Sequence, residues 1–584
     1  MTESLEVGFR PSPQQLRAWR LQKERPAPCS VLCALRIEGN LDPHALRRAL
    51  AATVARHEIL RTAFRLPAGL SMPLQVILEP GSVSLPEVDL RSVPEPDRPA
   101  GAAALLRSLG DPPFELERGE GWRALLARLG PREHELLLAL SAACADPGAC
   151  EPLAADLLAA YEREVTGGES DPEPPLQYAD VAEWQHRLLE GEDAAEGIEA
   201  WREQWRVHDI DARLTLPLPL EESEAAPGPF TSRETAVPLD RETAGALARL
   251  AGVWDCPLPV LLLAAWHAVI QRGTGRDESL VGVLYAGREA EELRGVVGPL
   301  ARYLPVAARF SPESPLREAV AQVRQTMTEA EPWAEYFSWD HVIGNGPAAG
   351  GFPVCFEAAP GEWELAMNGL RVASVRAGTS ALLDRFALAL SCQGGEEGLR
   401  LTLRYDSRRF RGQAARRLAG RLAALLGSVA ARPEAPLADH PALAEEELGL
   451  WRELSVAPPA AGAAARGRDG KTLSAVFEEQ VDRDPERLAV VAGEERLTFR
   501  ELDARANRLA WHLRATGAGP EVPVALCLER SAEALVALLA VWKAGAFYVP
   551  LDPTQPAGRL AYILTDTGAP LLVTDSRLAA GLPA

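Results

Sequence analysis

Cysteine is scarce in this 584-residue chain, at eight residues, and no two of them form a CxxC pair. No cysteine–histidine cluster has zinc-ligand spacing either, which excludes a zinc ribbon or a disulfide framework. Dispersed thiols of this kind are expected to be reduced and mostly buried, in a cytoplasmic protein. Basic charge is also short: 61 Lys and Arg stand against 82 Asp and Glu, for a net charge of −21. Such a surface excludes nucleic acid and anionic membrane as main partners. Long apolar runs are missing. Leu258 to Ile270 is the most apolar stretch, is too short to span a bilayer, and reads as a buried helix. The first residues, Met-Thr-Glu-Ser-Leu-Glu-Val, lack the basic and apolar regions of a secretory leader. There is no internal repeat.

What is present is alternation of strands and helices. Asp42-Pro43, then Leu46, Leu50 and Val54, reads as an N-cap, a proline in the first turn and an i, i+4, i+8 stripe, preceded by a strand at 31–37. A strand over 135–142 ends at the turn Asp146-Pro147-Gly148, and a helix follows with Leu153, Leu157 and Tyr161 on one face. A helix runs from 178 to 205 with a break near Gly191, and 209–229 reads as a crossing linker without periodicity. The alternation resumes with helices at 240–252, 258–272, 315–330 and 411–431 and strands at 279–285, 353–357 and 399–405. Residues 457–470 (APPAAGAAARGRDG) are a low-complexity linker. Beyond it, helices at 472–482, 499–515 and 531–544 alternate with strands at 488–492, 523–527 and 570–574. The pattern predicts α/β (α+β) architecture with two lobes and the start of a further α/β unit.

Several segments together resemble the condensation domain of nonribosomal peptide synthetases. They are Ser12-Pro-Gln-Gln-Leu-Arg-Ala-Trp19, Arg56-His-Glu-Ile-Leu-Arg-Thr-Ala-Phe64 and Leu176-Gln-Tyr-Ala-Asp-Val-Ala-Glu-Trp-Gln185, followed by Val281 to Arg288 and Val297 to Pro305. The resemblance covers about residues 8–455. It implies two chloramphenicol-acetyltransferase-like lobes in a V, at 1–190 and 191–455, with a tunnel for carrier-tethered substrates. A linker at 456–471 then leads to 472–584. There, Leu497-Thr-Phe-Arg-Glu-Leu502 and Trp542-Lys-Ala-Gly-Ala-Phe-Tyr-Val-Pro-Leu-Asp552 resemble the start of an adenylation domain. The phosphate loop, aminoacyl pocket and later lysine of that domain are absent, so this fragment is expected to adenylate nothing. No cofactor or metal is expected in the chain. The phosphopantetheine arm belongs to a partner carrier protein, and ATP with magnesium to a full-length adenylation domain.

The resemblance also defines an anomaly. The family's motif is His-His-x-x-x-Asp-Gly, and its second histidine assists amine attack on a thioester. Here Ser141 and Ala142 occupy the histidine positions, Asp146 is retained, and Pro147 stands in place of glycine. Alanine has no titratable group, and a positioned base contributes about 10²–10⁴-fold. Strand alternation turns Ser141 away from the site, for a strand-end hydrogen bond. Cys144, with no nearby histidine to ionise it, reads as a small buried hydrophobe, although its position makes it a tunnel candidate with Arg302 and Tyr303. Asp146 is expected to pair with Arg288 as a structural anchor. Pro147 fixes φ and removes an N–H, so the nearby backbone is expected to be rearranged or stiffened. The expected function is a condensation-like domain that is non-catalytic or repurposed as a scaffold. Its partners would be carrier proteins, the adjoining adenylation domain or a tailoring enzyme. The alternative is an active domain that joins carrier-bound thioesters by proximity or a non-histidine group.

Overall fold

A computed structural model describes residues 8–24, 29–168, 173–215, 217–222, 225–226, 228–342, 351–359, 361, 363–367, 369–375, 380–381, 383–394, 398–455 and 471–582. The chain divides into two compact units, Met1–Trp451 and Arg452–Ala584. The expected linker at 456–471 lies almost wholly outside the described residues.

The first unit is built on two large sheets, beside a small hairpin of Thr62–Arg65 with Leu74–Ile77. In the first, Ser30–Glu38 and Glu133–Ser141 lie side by side and antiparallel over their full lengths, with Trp122–Arg128 and then Glu87–Asp89 beyond. Glu133–Ser141 shows no apolar alternation because both of its faces are covered. Leu136, Leu138 and Leu140 pack in the cluster shared with the helices Pro43–Arg56 and Cys150–Thr166. Leu137 joins the opposite cluster with Ala102 and Leu106 of the helix Arg98–Gly110. Asp42 caps Pro43–Arg56 by accepting the His44 N–H, and that helix buries Leu46, Leu50 and Val54 as its periodicity requires.

The second sheet runs in the order Ser232–Ala236, Arg400–Asp406, Leu388–Gln393, Val354–Ala358, Glu278–Tyr285 and Arg302–Arg309. One face packs on the helices Leu258–Thr274, Leu316–Ala330 and Gly412–Ala431. Twelve consecutive residues of Leu258–Thr274, from Val260 to Gln271, are buried, which explains the apolar run. Among the described residues no single helix is long and apolar enough to cross a membrane. The other face carries an aromatic cluster of Trp201, Trp205, Phe230, Phe337, Phe352 and Phe386.

Two features differ from the sequence reading. Glu364–Met367 and Leu370–Ser374, from the stretch 191–455, pair in the first sheet, with Leu35 facing Ser374 and Glu38 facing Arg371. The first sheet therefore draws on both stretches. The 209–229 segment is not merely a crossing linker. It forms the short helix Ile210–Leu214 and buries Ile210 and Leu218 in the cores beneath it.

The second unit has a hairpin, Leu488–Ala492 with Glu495–Thr498, and a parallel sheet ordered Phe547–Pro550, Pro523–Cys527, Leu571–Thr574. A capping box between Thr498 and Glu501 starts the helix Phe499–Ala515. The Lys543 ammonium is buried among Glu478, Asp503 and the Phe477 ring, tying three helices together.

Candidate functional site

Glu133–Ser141 ends in a tight buried turn. Ser141 N donates to Gly121 O at 2.7 Å, and Ser141 O accepts from Cys144 N at 2.8 Å and Ala145 N at 3.0 Å. The Ser141 hydroxyl oxygen accepts from Ala143 N at 3.2 Å, a strand-end bond within the turn. Ala142 N donates to Cys29 O at 2.9 Å, and its methyl group lies in the first lobe's apolar cluster. Cys144 is fully buried in that cluster, with its sulfur so close to Gly121 that a methyl group there would lie 2.4 Å from it. Burial alone pushes its thiol up to about 12. Cys144 is therefore packed in the apolar cluster, which also takes in Leu293, Val296, Val297 and Leu300 of the second stretch.

Pro147 is accommodated at the start of a turn. It opens the short turn Pro147–Ala149, where the missing N–H is not needed, and Asp146 before it is extended at φ −126° and ψ 176°. Asp146 caps that turn, its Oδ1 accepting from Ala149 N at 3.0 Å. Its Oδ2 accepts at 2.7 Å from each of three donors: Arg288 Nη1, Leu300 N and Ala301 N. The carboxylate is fully buried and takes four hydrogen bonds, which offset its loss of hydration. Arg288 in turn donates through Nη2 to Gly298 O at 3.0 Å. Gly148 makes room for the pair, since a Cβ there would lie 2.8 Å from Arg288 Nη1.

Sequence reasoning missed the two backbone amides, which carry no side-chain signal, and a tyrosine that completes the junction. The Tyr178 hydroxyl donates to Pro299 O at 2.7 Å and stands 2.8 Å from Ser12 Oγ. Burial raises its pKa, and the ring packs so tightly that Gly298 has no space for a Cβ. Tyr178 was visible only as one letter of the 176–185 segment.

The two remaining tunnel candidates sit on the second sheet with filled bonding sites. Arg302 pairs with Glu335 at 2.6 Å and donates to the carbonyls of Ala334 and Glu335. The Tyr303 hydroxyl donates to the buried Glu357 carboxylate, which also pairs with Arg404 and accepts from Ser391 Oγ at 3.0 Å. Burial and the Glu357 charge raise the Tyr303 pKa. None of the chain's nine histidines lies in the 141–149 segment. His57 pairs with Asp156 at 2.6 Å, His208 with Glu278 at 2.6 Å, and His267 with Ser279 at 2.8 Å. Among the described residues no group of three His, Cys, Asp or Glu side chains is placed to hold a metal.

The parallel strands of the second unit end beside acidic side chains. Glu529, Asp552 and Asp575 follow the three parallel strands, and burial, with smaller contributions from Asp575 and Asp552, raises the Cys527 pKa. Ser531 and Asp575 occupy the next helix N-termini with their own capping bonds.

Fold and site define a two-lobed mixed α/β domain in which a buried carboxylate ties the loop after one sheet's central strand to the opposite lobe. The chain belongs to the condensation-domain family: residues 10–448 match Condensation domain, and residues 477–583 match AMP-binding enzyme. Phosphinothricin tripeptide synthetase PhsC of Streptomyces viridochromogenes is 34% identical over 577 residues, covering 97% of this chain and 52% of PhsC. Chondramide synthase cmdD of Chondromyces crocatus is 31% identical over 569 residues, 94% of this chain and 14% of that protein. The chain thus spans about half the length of one of these relatives and a small part of the other. Among solved structures, the X-domain from teicoplanin biosynthesis is 28% identical with a TM-score of 0.63, over 76% of this chain and 98% of that one. The four-domain nonribosomal peptide synthetase AB3403 gives a TM-score of 0.70 at 20% identity, over 99% of this chain and 44% of that one.

Proposed function

We propose that residues 8–455 form a condensation-type domain of a cytoplasmic peptide synthetase that does not make amide bonds. It serves instead as a scaffold that docks a carrier protein, the adjoining adenylation domain or a tailoring enzyme. The observation that carries this reading is the contrast at Asp146. The carboxylate keeps all four of its donors, while residues 141–145 hold no group able to take an amine's proton near neutral pH. Ser141 is engaged by the Ala143 amide, and the Cys144 thiol is pushed to about 12 inside an apolar core. A neutral thiol is neither a base nor a nucleophile. The docking role is supported by similarity to the X-domain, a 28%-identical chain also solved in complex with OxyB, both from teicoplanin biosynthesis.

The test is a reconstituted condensation assay in which donor and acceptor carrier proteins bear thioester-linked residues. The proposal expects a loaded carrier or a tailoring enzyme to bind with no dipeptidyl product above the rate without the domain. Domain-dependent product would establish proximity-driven condensation and overturn it.

A further inference from the structure

The helix Pro13–Glu24 buries Leu16, Trp19 and Leu21 in the first lobe's core. Its other side presents arginines at positions 17 and 20, one turn apart, to the crossover between the sheets and to a segment beside the second sheet. Arg17 grips Asp384 with two parallel bonds, Nε to Oδ2 at 3.1 Å and Nη2 to Oδ1 at 2.9 Å. The Arg17 side chain is 15% exposed and the Asp384 side chain 7%. The same guanidinium lies 5.1 Å from the centre of the Trp339 ring. Arg20 Nη1 reaches both oxygens of Asp340, at 2.7 and 2.8 Å, in a solvent-exposed pair. Arg385 returns the contact, its Nη2 donating to Leu21 O at 2.7 Å near the helix C-terminus.

The position of these acidic partners gives the contacts their meaning. Trp339 and Asp340 lie in the short helix Trp339–Val342, beside the aromatic cluster under the second sheet. Asp384 and Arg385 stand where the chain, having paired at Ser380–Ala381 in the first sheet, returns to Leu388–Gln393 in the second. One helix rooted in the first lobe therefore grips the chain at two separate places, the crossover itself and the segment beside the second sheet. A bidentate guanidinium–carboxylate pair with little water access resists both rotation and separation. The exposed pair adds a contact that salt screens.

We propose that the helix Pro13–Glu24 is an interlobe clasp, pinned by Arg17–Asp384, that holds the two lobes of this domain at one fixed opening. The inference does not depend on whether the domain makes a product. A domain that condenses with its lobes held would refute the scaffold reading alone, and a silent domain with loose lobes would refute the clasp alone.

The experiment uses the full chain with Cys256→Ser and spin labels on cysteines placed at the exposed Ser108 and Ala321, one on each lobe. Electron–electron distance distributions are recorded for the parent, for Arg17→Met with Arg20→Ala, and for the reversed pair Arg17→Asp with Asp384→Arg. Circular dichroism reports folding of each variant. The clasp predicts one narrow distance in the parent, at least a twofold broadening when both arginines are lost, and narrowing again in the reversed pair. If the double variant fails to fold, Asp384→Asn keeps the shape, weakens the pin, and must still broaden the distribution. A distribution of unchanged width in a folded variant overturns the proposal.

Discussion

Asp146 and Arg288 meet at 2.7 Å from positions 142 residues apart, joining the end of the first sheet's central strand to the loop after the second sheet's Glu278–Tyr285. The contact is a structural tie. It holds two backbone amides of the opposite lobe on the same oxygen, and the carboxylate is fully buried.

Removing one member of that pair strands the other. Asp146→Ala leaves the Arg288 guanidinium and the Leu300, Ala301 and Ala149 amides buried without their acceptor, a loss of about 3–5 kcal/mol. Urea unfolding of the parent and of Asp146→Ala measures it. A loss below about 1 kcal/mol would mean that the four donors find other partners when the carboxylate is removed.

His267 makes acid stability testable. Burial depresses its pKa from 6.5 to about 3, so the folded protein keeps the imidazole neutral beside Ser279. The unfolded chain takes up a proton below about pH 6.5. Stability is therefore fully present above that pH and falls as the pH drops towards 3. The slope from this group is at most about 1.4 kcal/mol per pH unit. His267→Gln keeps a hydrogen-bonding group beside Ser279 and removes that slope. Urea midpoints of parent and variant should converge between pH 7 and pH 5, and parallel curves would contradict the assignment.

Thiol reactivity probes the closure of the site. Burial pushes Cys29 and Cys144 up to about 12, while Cys256 is only half-buried. Iodoacetamide at pH 8 should modify Cys256 first and leave Cys144 unlabelled in the native chain, as read by peptide mass spectrometry. Labelling of Cys144 at a comparable rate would mean that the 141–147 turn opens.

Much of this fold was legible where local pattern and tertiary environment agree. The helix Gly412–Ala431 was expected at 411–431, and the strand Pro523–Cys527 at its observed limits. The crossover strands were not legible. Glu364–Met367 and Leu370–Ser374 are short, and their placement depends on Ser30–Glu38, more than three hundred residues earlier, offering a free edge. At the site, the residue types at 141 and 142 are plain in the sequence. The partnership of Asp146 with Arg288 came from family resemblance, and the amides of Leu300 and Ala301 gave no signal because every residue has one. The consequence of Pro147 depends on its place in a turn, which the residue type alone does not give. At the first position after a capping aspartate, proline is among the best residues available.

The most direct test of the account is a single-turnover condensation assay. Dipeptidyl-carrier formation is followed by mass spectrometry with the parent domain, with an Asp146→Ala control, and with no domain. The account predicts the same slow rate in all three, that of uncatalysed aminolysis. Product in the parent at ten or more times the rate without the domain would contradict it.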